Sequence, residues 1–363
     1  MDSTIHEPTV TGPPGPEPGP AARLRAEAAR RLGIRLEVLD PDTGCLQALS
    51  DGRRRRVLVT GMSPLNDAGA ARLAGDKYYA GEILRRAGFR VPAGTRCLRE
   101  GAFELSTFPE HTGLEPAFRF AERQGFPLVV KPNRGARGRD VAVVSTEAEL
   151  KEAVRRVWRM DYLALVQECV EGFDLRLDFL DGELLLGYTR QPVVLEGDGS
   201  TPLRRLLAGW DRRFYGPAFE ERLARDSFWQ RRVLDRGLGL DSVLTRGENL
   251  ALTDAVLNLN RLCVARMLEA LPAAWLEHGR VLGRTLYLRH FGLDLKVPGG
   301  AGDLSGDPAR AAVLEVNASP SLGQTFERGE KEAAIAAEMK VLRAILETGA
   351  PVGGATQESG DGP

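Results

Sequence analysis

Across 363 residues the chain holds only four cysteines and four histidines, and aromatic side chains make up 6%. Cys45, Cys97, Cys169 and Cys263 stand far apart, with none of the short spacings of a zinc site or a disulfide framework. That excludes a cysteine-built metal centre and predicts buried, reduced thiols in a cytoplasmic protein. Charge of one sign is lacking as well: 49 Lys and Arg face 50 Asp and Glu, a net charge of -1. No global field therefore recruits nucleic acid or an anionic membrane. No apolar run approaches bilayer-spanning length, and the first residues contain no apolar signal core. What remains is a soluble globular composition, long enough for two or three small domains or one enzyme with several subdomains.

Proline and glycine are concentrated at the ends. The run from Thr11 to Pro20 can form neither helix nor ladder, so residues 1–20 are expected to be a disordered tail, and 349–363 reads the same way. Between them, Ala21 to Leu32 reads as a basic amphipathic helix, followed by strand-like runs Leu36 to Leu39 and Val57 to Thr60 joined through a turn at Asp51-Gly52. Arg53-Arg54-Arg55-Arg56 has no interleaved aromatics, which favours a solvated strand start over a nucleic-acid patch. Asp76-Lys77 opens a helix that Gly88 closes, and Phe118 to Gly125 forms another. Leu128 to Pro132 is a short buried strand ending in a lysine; the loop Asn133 to Arg139 then leads back into a strand at Val141 to Val144. A glycine loop between two strands argues against both a Walker A site and a dinucleotide fingerprint. Thr146 to Glu149 resembles a capping box, Leu163 to Glu168 is a buried strand, and Leu175 to Leu180 with Leu184 to Tyr188 forms a hairpin about Asp181-Gly182. Charged helices fill Gly197 to Gly247, and an Ala-rich amphipathic helix spans Lys331 to Glu347.

The most informative stretch is Val313 to Leu322, reached from Gly292-Leu293-Asp294-Leu295-Lys296. Glu315 and Asn317 would share one face of a strand with Val316 on the other, and Asp294 would join them from a neighbouring strand. A face of hard oxygen ligands suits magnesium and not zinc, and magnesium held by few carboxylates usually arrives with a nucleotide phosphate. The same spacing also suits two edge strands carrying solvated acids.

Taken in order, these elements resemble the ATP-grasp ligase superfamily, most closely the ATP-grasp module of cyanophycin synthetase and of bifunctional glutathione synthetases. The resemblance runs through Ser63-Pro64-Leu65-Asn66, Asp76-Lys77, Val129 to Pro132, Glu171 to Arg176, Gly197 to Thr201, Leu240 to Ser242 with Gly247-Glu248, Gly292 to Asp294, and Glu315 to Pro320. It implies an α+β, ATP-grasp fold: two lobes clasping ATP, with a small N-terminal α/β domain completing the substrate cleft. The expected division is an N-terminal domain at 21–75, a small lobe at 76–165 and a large lobe at 166–348 with an insertion at 197–247 forming a cap over the acyl site.

By the same resemblance Lys77 and Lys131 face the nucleotide phosphates, Gly135 and Gly138 let backbone amides approach them, and Gln167, Glu168 and Val170 hold adenine. Gln167 stands where the family more often has glutamate. Asp174 would contact ribose, and Arg176 the phosphates or the acyl group. Asp294, Glu315 and Asn317 match magnesium ligands, for two ions in that family's manner, and Asn258 lies near a phosphate-side asparagine, although Leu262-Cys263-Val264 replaces the glycine pair that follows it there.

The implied reaction is ATP-dependent ligation of a small carboxylate to an amine, on an amino acid or peptide, through an acyl phosphate. Arg190 and Arg289 are candidates to clamp the carboxylate bidentately. His290 is expected to be a satisfied core histidine. A kinase-like phosphotransferase and a degenerate regulatory module are the competing readings, and a homo-oligomer remains open.

Overall fold

The computed structural model describes residues 19–102, 109–135, 140–192, 194–211, 236–251, 263–327 and 330–351. Three of its sheets carry the architecture. The first contains β1 (Arg35–Val38), β2 (Leu46–Ser50), β3 (Arg54–Val59) and the last described strand, β15 (Ala350–Pro351), in the order β1-β2-β3-β15. The second contains β4 (Gly94–Leu98), β5 (Leu128–Pro132), β6 (Ala142–Val144) and β7 (Leu163–Glu168), in the order β4-β7-β5-β6. The third and largest contains β8 (Phe173–Leu180), β9 (Glu183–Pro192), β12 (Cys263–Met267), β13 (His290–Val297) and β14 (Ala312–Asn317), in the order β12-β9-β8-β13-β14. A small ribbon joins β10 (Val194–Glu196) to β11 (Asn249–Ala251). Every strand pair is antiparallel.

Alternation along β8 and β13 decides how the large sheet is used. Leu175, Leu177 and Phe179 with Phe291, Leu293 and Leu295 fill one face and pack against the helix Ala273–Thr285. That helix approaches closely because Gly279 and Gly283, one turn apart, lie over the stacked rings of Phe179 and Phe291; a Cβ at either glycine would overlap a ring. The opposite face of the same strands is polar, carrying Asp174, Arg176 and Asp178 on β8 and Gly292, Asp294 and Lys296 on β13.

Several elements lie where the sequence reading puts them. The helix Lys77–Arg86 has Asp76 as its N-cap, accepting from the Tyr79 amide at 3.0 Å. Thr146 caps Glu147–Val157 while Glu149 accepts from the Ser145 amide, so this capping box closes one residue early. Other details differ. A further strand, β2, stands between the two expected near the N-terminus and pairs with both, and three of the four consecutive arginines lie in β3. The helix Lys77–Arg86 buries Leu84 in the core of the large sheet, not in that of the small lobe. The helix Lys331–Glu347 packs on Pro20–Leu32 over the first sheet, so the first and last described helices share one layer. Cys97 and Cys263 are buried as expected, but Cys45 is exposed. No helix among the described residues is long and apolar enough to cross a membrane.

Candidate active site

The polar face of the large sheet gathers the acids. Pairing of β13 with β14 sets Asp294 opposite Glu315 and Gly292 opposite Asn317, and the Asn317 amide donates to Asp294 Oδ2 at 3.0 Å. The expected oxygen-ligand set is therefore assembled on two adjacent strands. Among the described residues no three His, Cys, Asp or Glu side chains converge as a metal cluster, so the set is two carboxylates and one amide. Both carboxylates carry cations. Asp294 takes Arg176 Nη1 at 2.8 Å on one oxygen and Arg190 Nη2 at 2.7 Å on the other, while Glu315 takes Lys77 Nζ at 3.3 Å. Burial opposes ionisation of Asp294, yet the two guanidiniums hold its pKa below the ordinary carboxylate value.

The lysines come from outside this sheet. Lys131, at the end of β5, is buried and its ammonium donates to the Leu314 carbonyl on β14 at 3.1 Å, so it bridges the two lobes. Burial, with Lys77 adding repulsion, pushes its pKa down to about 8. Lys77 starts its helix and also donates to the Gly135 carbonyl at 2.9 Å. Asn133 fixes this junction: its side chain accepts from the Tyr78 amide at 2.9 Å, and its own amide donates to Leu163 on β7 at 3.1 Å. Both expected phosphate lysines thus converge beside Glu315 from different elements. Gly138 and Asn258 lie outside the described residues.

The remaining candidates divide. Asp174 is paired with Lys296 at 2.6 Å across the β8–β13 ladder; burial pushes its pKa up and the lysine works against that shift. Arg190 is brought to Asp294. Arg289 does not: it precedes β13 and clamps Asp181 in the β8–β9 turn at 2.7 and 3.0 Å, half exposed. At about 3.3 Å per residue it lies roughly 16 Å along the strand from Asp294 and is not brought together with the residues there. Gln167 pairs within β7, between Gly94 and Val129. Glu168 is committed to Ala93, donating its amide and accepting on its carboxylate, both at 2.9 Å, which leaves Val170 beyond the strand end. His290 is buried, as expected, with Nδ1 2.9 Å from Ser63 Oγ; its Nε2 has no hydrogen-bond partner among the described residues, so only one ring nitrogen is satisfied there. Burial lowers its pKa to about 4, which keeps it neutral.

Three contributors had no assigned role in the sequence reading. Asp178 holds Arg176, Lys296 holds Asp174, and Asn66 ties the N-terminal part to the start of β13 and to Ala318, just past β14. The alternation Asp174, Arg176, Asp178 already puts the first of these on the polar face, and Lys296 follows Asp294 at the same period.

Comparison with known proteins agrees with this architecture. No family profile matches the chain. It is 22% identical over 304 residues to the bifunctional glutathione biosynthesis protein of Lactiplantibacillus plantarum, covering 82% of this chain and 39% of that protein. It is 26% identical over 258 residues to cyanophycin synthetase of Geminocystis herdmanii, covering 68% and 28% respectively. The chain thus spans well under half the length of these relatives. Among solved structures, the bifunctional glutathione synthetase from Pasteurella multocida superposes with a TM-score of 0.55 at 18% identity, over 88% of this chain and 44% of that one. The chain has the ATP-grasp fold and is related to ATP-grasp ligases.

Proposed function

We propose that the protein is an ATP-dependent carboxylate-amine ligase acting on an amino acid or peptide through an acyl phosphate. The observation that carries this reading is the convergence of Lys77, Arg176 and Arg190 on Asp294 and Glu315, on the polar face of one sheet, with Lys131 on the adjacent Leu314 carbonyl. Such a site offers charge neutralisation and alignment, which is what phosphoryl transfer to a carboxylate demands.

The donor set fits magnesium. Asp294, Glu315 and the amide oxygen of Asn317 are hard oxygens, few in number, as suits an ion that keeps waters and shares phosphate ligands. Bound there, magnesium would neutralise charge on the nucleotide phosphates. Lys77 and Lys131 would hold phosphate oxygens from the helix start and the strand end, with Asp174 toward the ribose. A substrate carboxylate oxygen then attacks the terminal phosphorus, and the bond to the ADP oxygen breaks with its electron pair. The amine attacks the acyl carbon of the resulting mixed anhydride, loses its proton, and inorganic phosphate leaves. Arg176 and Arg190, buried beside the reacting end, would orient the carboxylate and balance its phosphorylated form.

Hydroxylamine tests this. Supplied with MgATP and a panel of amino acids and dipeptides, the protein should form a hydroxamate in a carboxylate-dependent manner. An isolable phosphorylated acceptor with no hydroxamate would overturn the ligase reading in favour of a kinase.

A further inference from the structure

Arg176 is set into the floor of the sheet. Its residue is 6% exposed, and its guanidinium lies across β13 at Gly292, the position on that face without a side chain. A Cβ at Gly292 would overlap both the guanidinium and the Asp178 carboxylate. Asp178, 1% exposed, accepts from Nε and Nη2, each at 2.8 Å, whereas Nη1 alone reaches Asp294. The fork is thus divided between one acid fit to hold magnesium and one that lies too deep to meet a ligand.

We propose that Asp178 and Gly292 form a cradle that positions Arg176 for an oxyanion, the substrate carboxylate and then its phosphoryl group; this identity of the anion rests on the ligase reading. Asp178 is a positioning residue that acts through Arg176. A cation arriving at Asp294 competes with Nη1 for the same carboxylate. Were Asp294 the sole partner of Arg176, that competition would leave a buried guanidinium unpaired next to Arg190 and a metal, and it would swing away. Asp178 supplies a second counter-charge, too deep for an arriving cation to take. Two donors stay anchored, the plane of the fork is kept, and Nη1 is released toward the reacting oxygens. Gly292 is required because the anchored fork occupies the volume of a side chain there.

Calorimetry on the folded full chain tests the cradle, with inorganic phosphate as probe on the preformed MgADP complex. Wild type should bind phosphate. Gly292→Ala, which leaves every charge in place, and Asp178→Asn should each keep the MgADP Kd within about twofold and weaken phosphate by at least about tenfold. In an Arg176→Lys background Gly292→Ala should cost no further phosphate affinity, because the added methyl no longer meets a guanidinium. Phosphate affinity within twofold of wild type in folded Gly292→Ala overturns the proposal, as does an undiminished Gly292→Ala effect in the Arg176→Lys background. Binding of MgADP but not phosphate by the wild type overturns the anion assignment. Absence of MgADP binding defeats the ligase reading itself, and with it the anion assigned here.

Discussion

Replacing Asn66 with alanine should destabilise the protein by about 2–4 kcal/mol, because one side chain satisfies four backbone groups. Its Nδ2 donates to the carbonyls of His290 and Ala318, both at 2.6 Å, and its Oδ1 accepts from the amides of Arg289 at 2.9 Å and His290 at 3.0 Å. A neutral hydrogen bond contributes about 1 kcal/mol net, and leaving buried partners unpaired costs more. Asn66 is only half-buried, so water replaces part of the loss and the upper end of the range is a ceiling. Asn66→Asp is the sharper variant: it keeps the shape and one acceptor but sets a carboxylate oxygen against two carbonyl oxygens. Repulsion and partial burial raise that carboxyl's pKa in the folded state, so its penalty is greatest near neutral pH and relaxes as pH falls and the group protonates. Urea unfolding followed by circular dichroism measures both variants. A loss below about 0.5 kcal/mol for alanine, or an aspartate variant as stable as wild type at pH 7, would refute the reasoning.

Three further outcomes follow from the site. Glu315→Gln removes an anionic oxygen at constant shape, so turnover should fall by about 100-fold or more in a protein whose thermal unfolding is unchanged; wild-type turnover sinks the metal assignment. Lys131→Ala should weaken ATP at least about tenfold more than adenosine, since only ATP presents the charge the lysine meets; equal losses by calorimetry point to a structural role. Because the pKa of Lys131 is pushed down to about 8, its ammonium is present below that pH and lost above it. ATP affinity should therefore fall as pH rises from 7 to 9, with proton uptake on binding that disappears in Lys131→Ala; uptake unchanged in that variant removes Lys131 as its source.

Much of the site was legible because strand periodicity is simple. Asp174 and Arg176, Gly292 and Asp294, and Glu315 and Asn317 each sit two residues apart, so each pair shares a face wherever its strand lies. Register is what period alone does not contain. Arg190 and Arg289 are both arginines beside strands, yet one is paired opposite Asp174 and reaches Asp294, while the other falls before β13 and is taken by Asp181. Nothing in their local sequence separates them; the β8–β9 and β8–β13 ladders do. The strand Leu46–Ser50 was missed because Leu-Gln-Ala-Leu-Ser contains no β-branched residue, and its place in the sheet comes from neighbours on both sides. Where the helix Lys77–Arg86 packs is likewise not contained in its own sequence: its apolar side fits either core, and its link to Asn133 and the packing of Leu84 set it against the large sheet.

The pairing of charges on this face bears on how a nucleotide would enter it. Arg176, Arg190 and Lys77 neutralise Asp294 and Glu315, and Lys296 neutralises Asp174. Each acid proposed to meet metal or ribose is thus already matched, and so is each cation proposed to meet phosphate apart from Lys131, which bonds a carbonyl. Binding of magnesium and ATP would then be an exchange of partners: Asp294 and Glu315 would hold the metal, and the cations they release would meet the phosphates. Neither component alone completes that exchange. Metal without nucleotide would strand buried cations, and nucleotide without metal would crowd phosphates against Asp294 and Glu315. On the ligase reading the two must therefore arrive together. Asp178 is the exception that makes the exchange workable, since it keeps one arginine in place while the partners around it change.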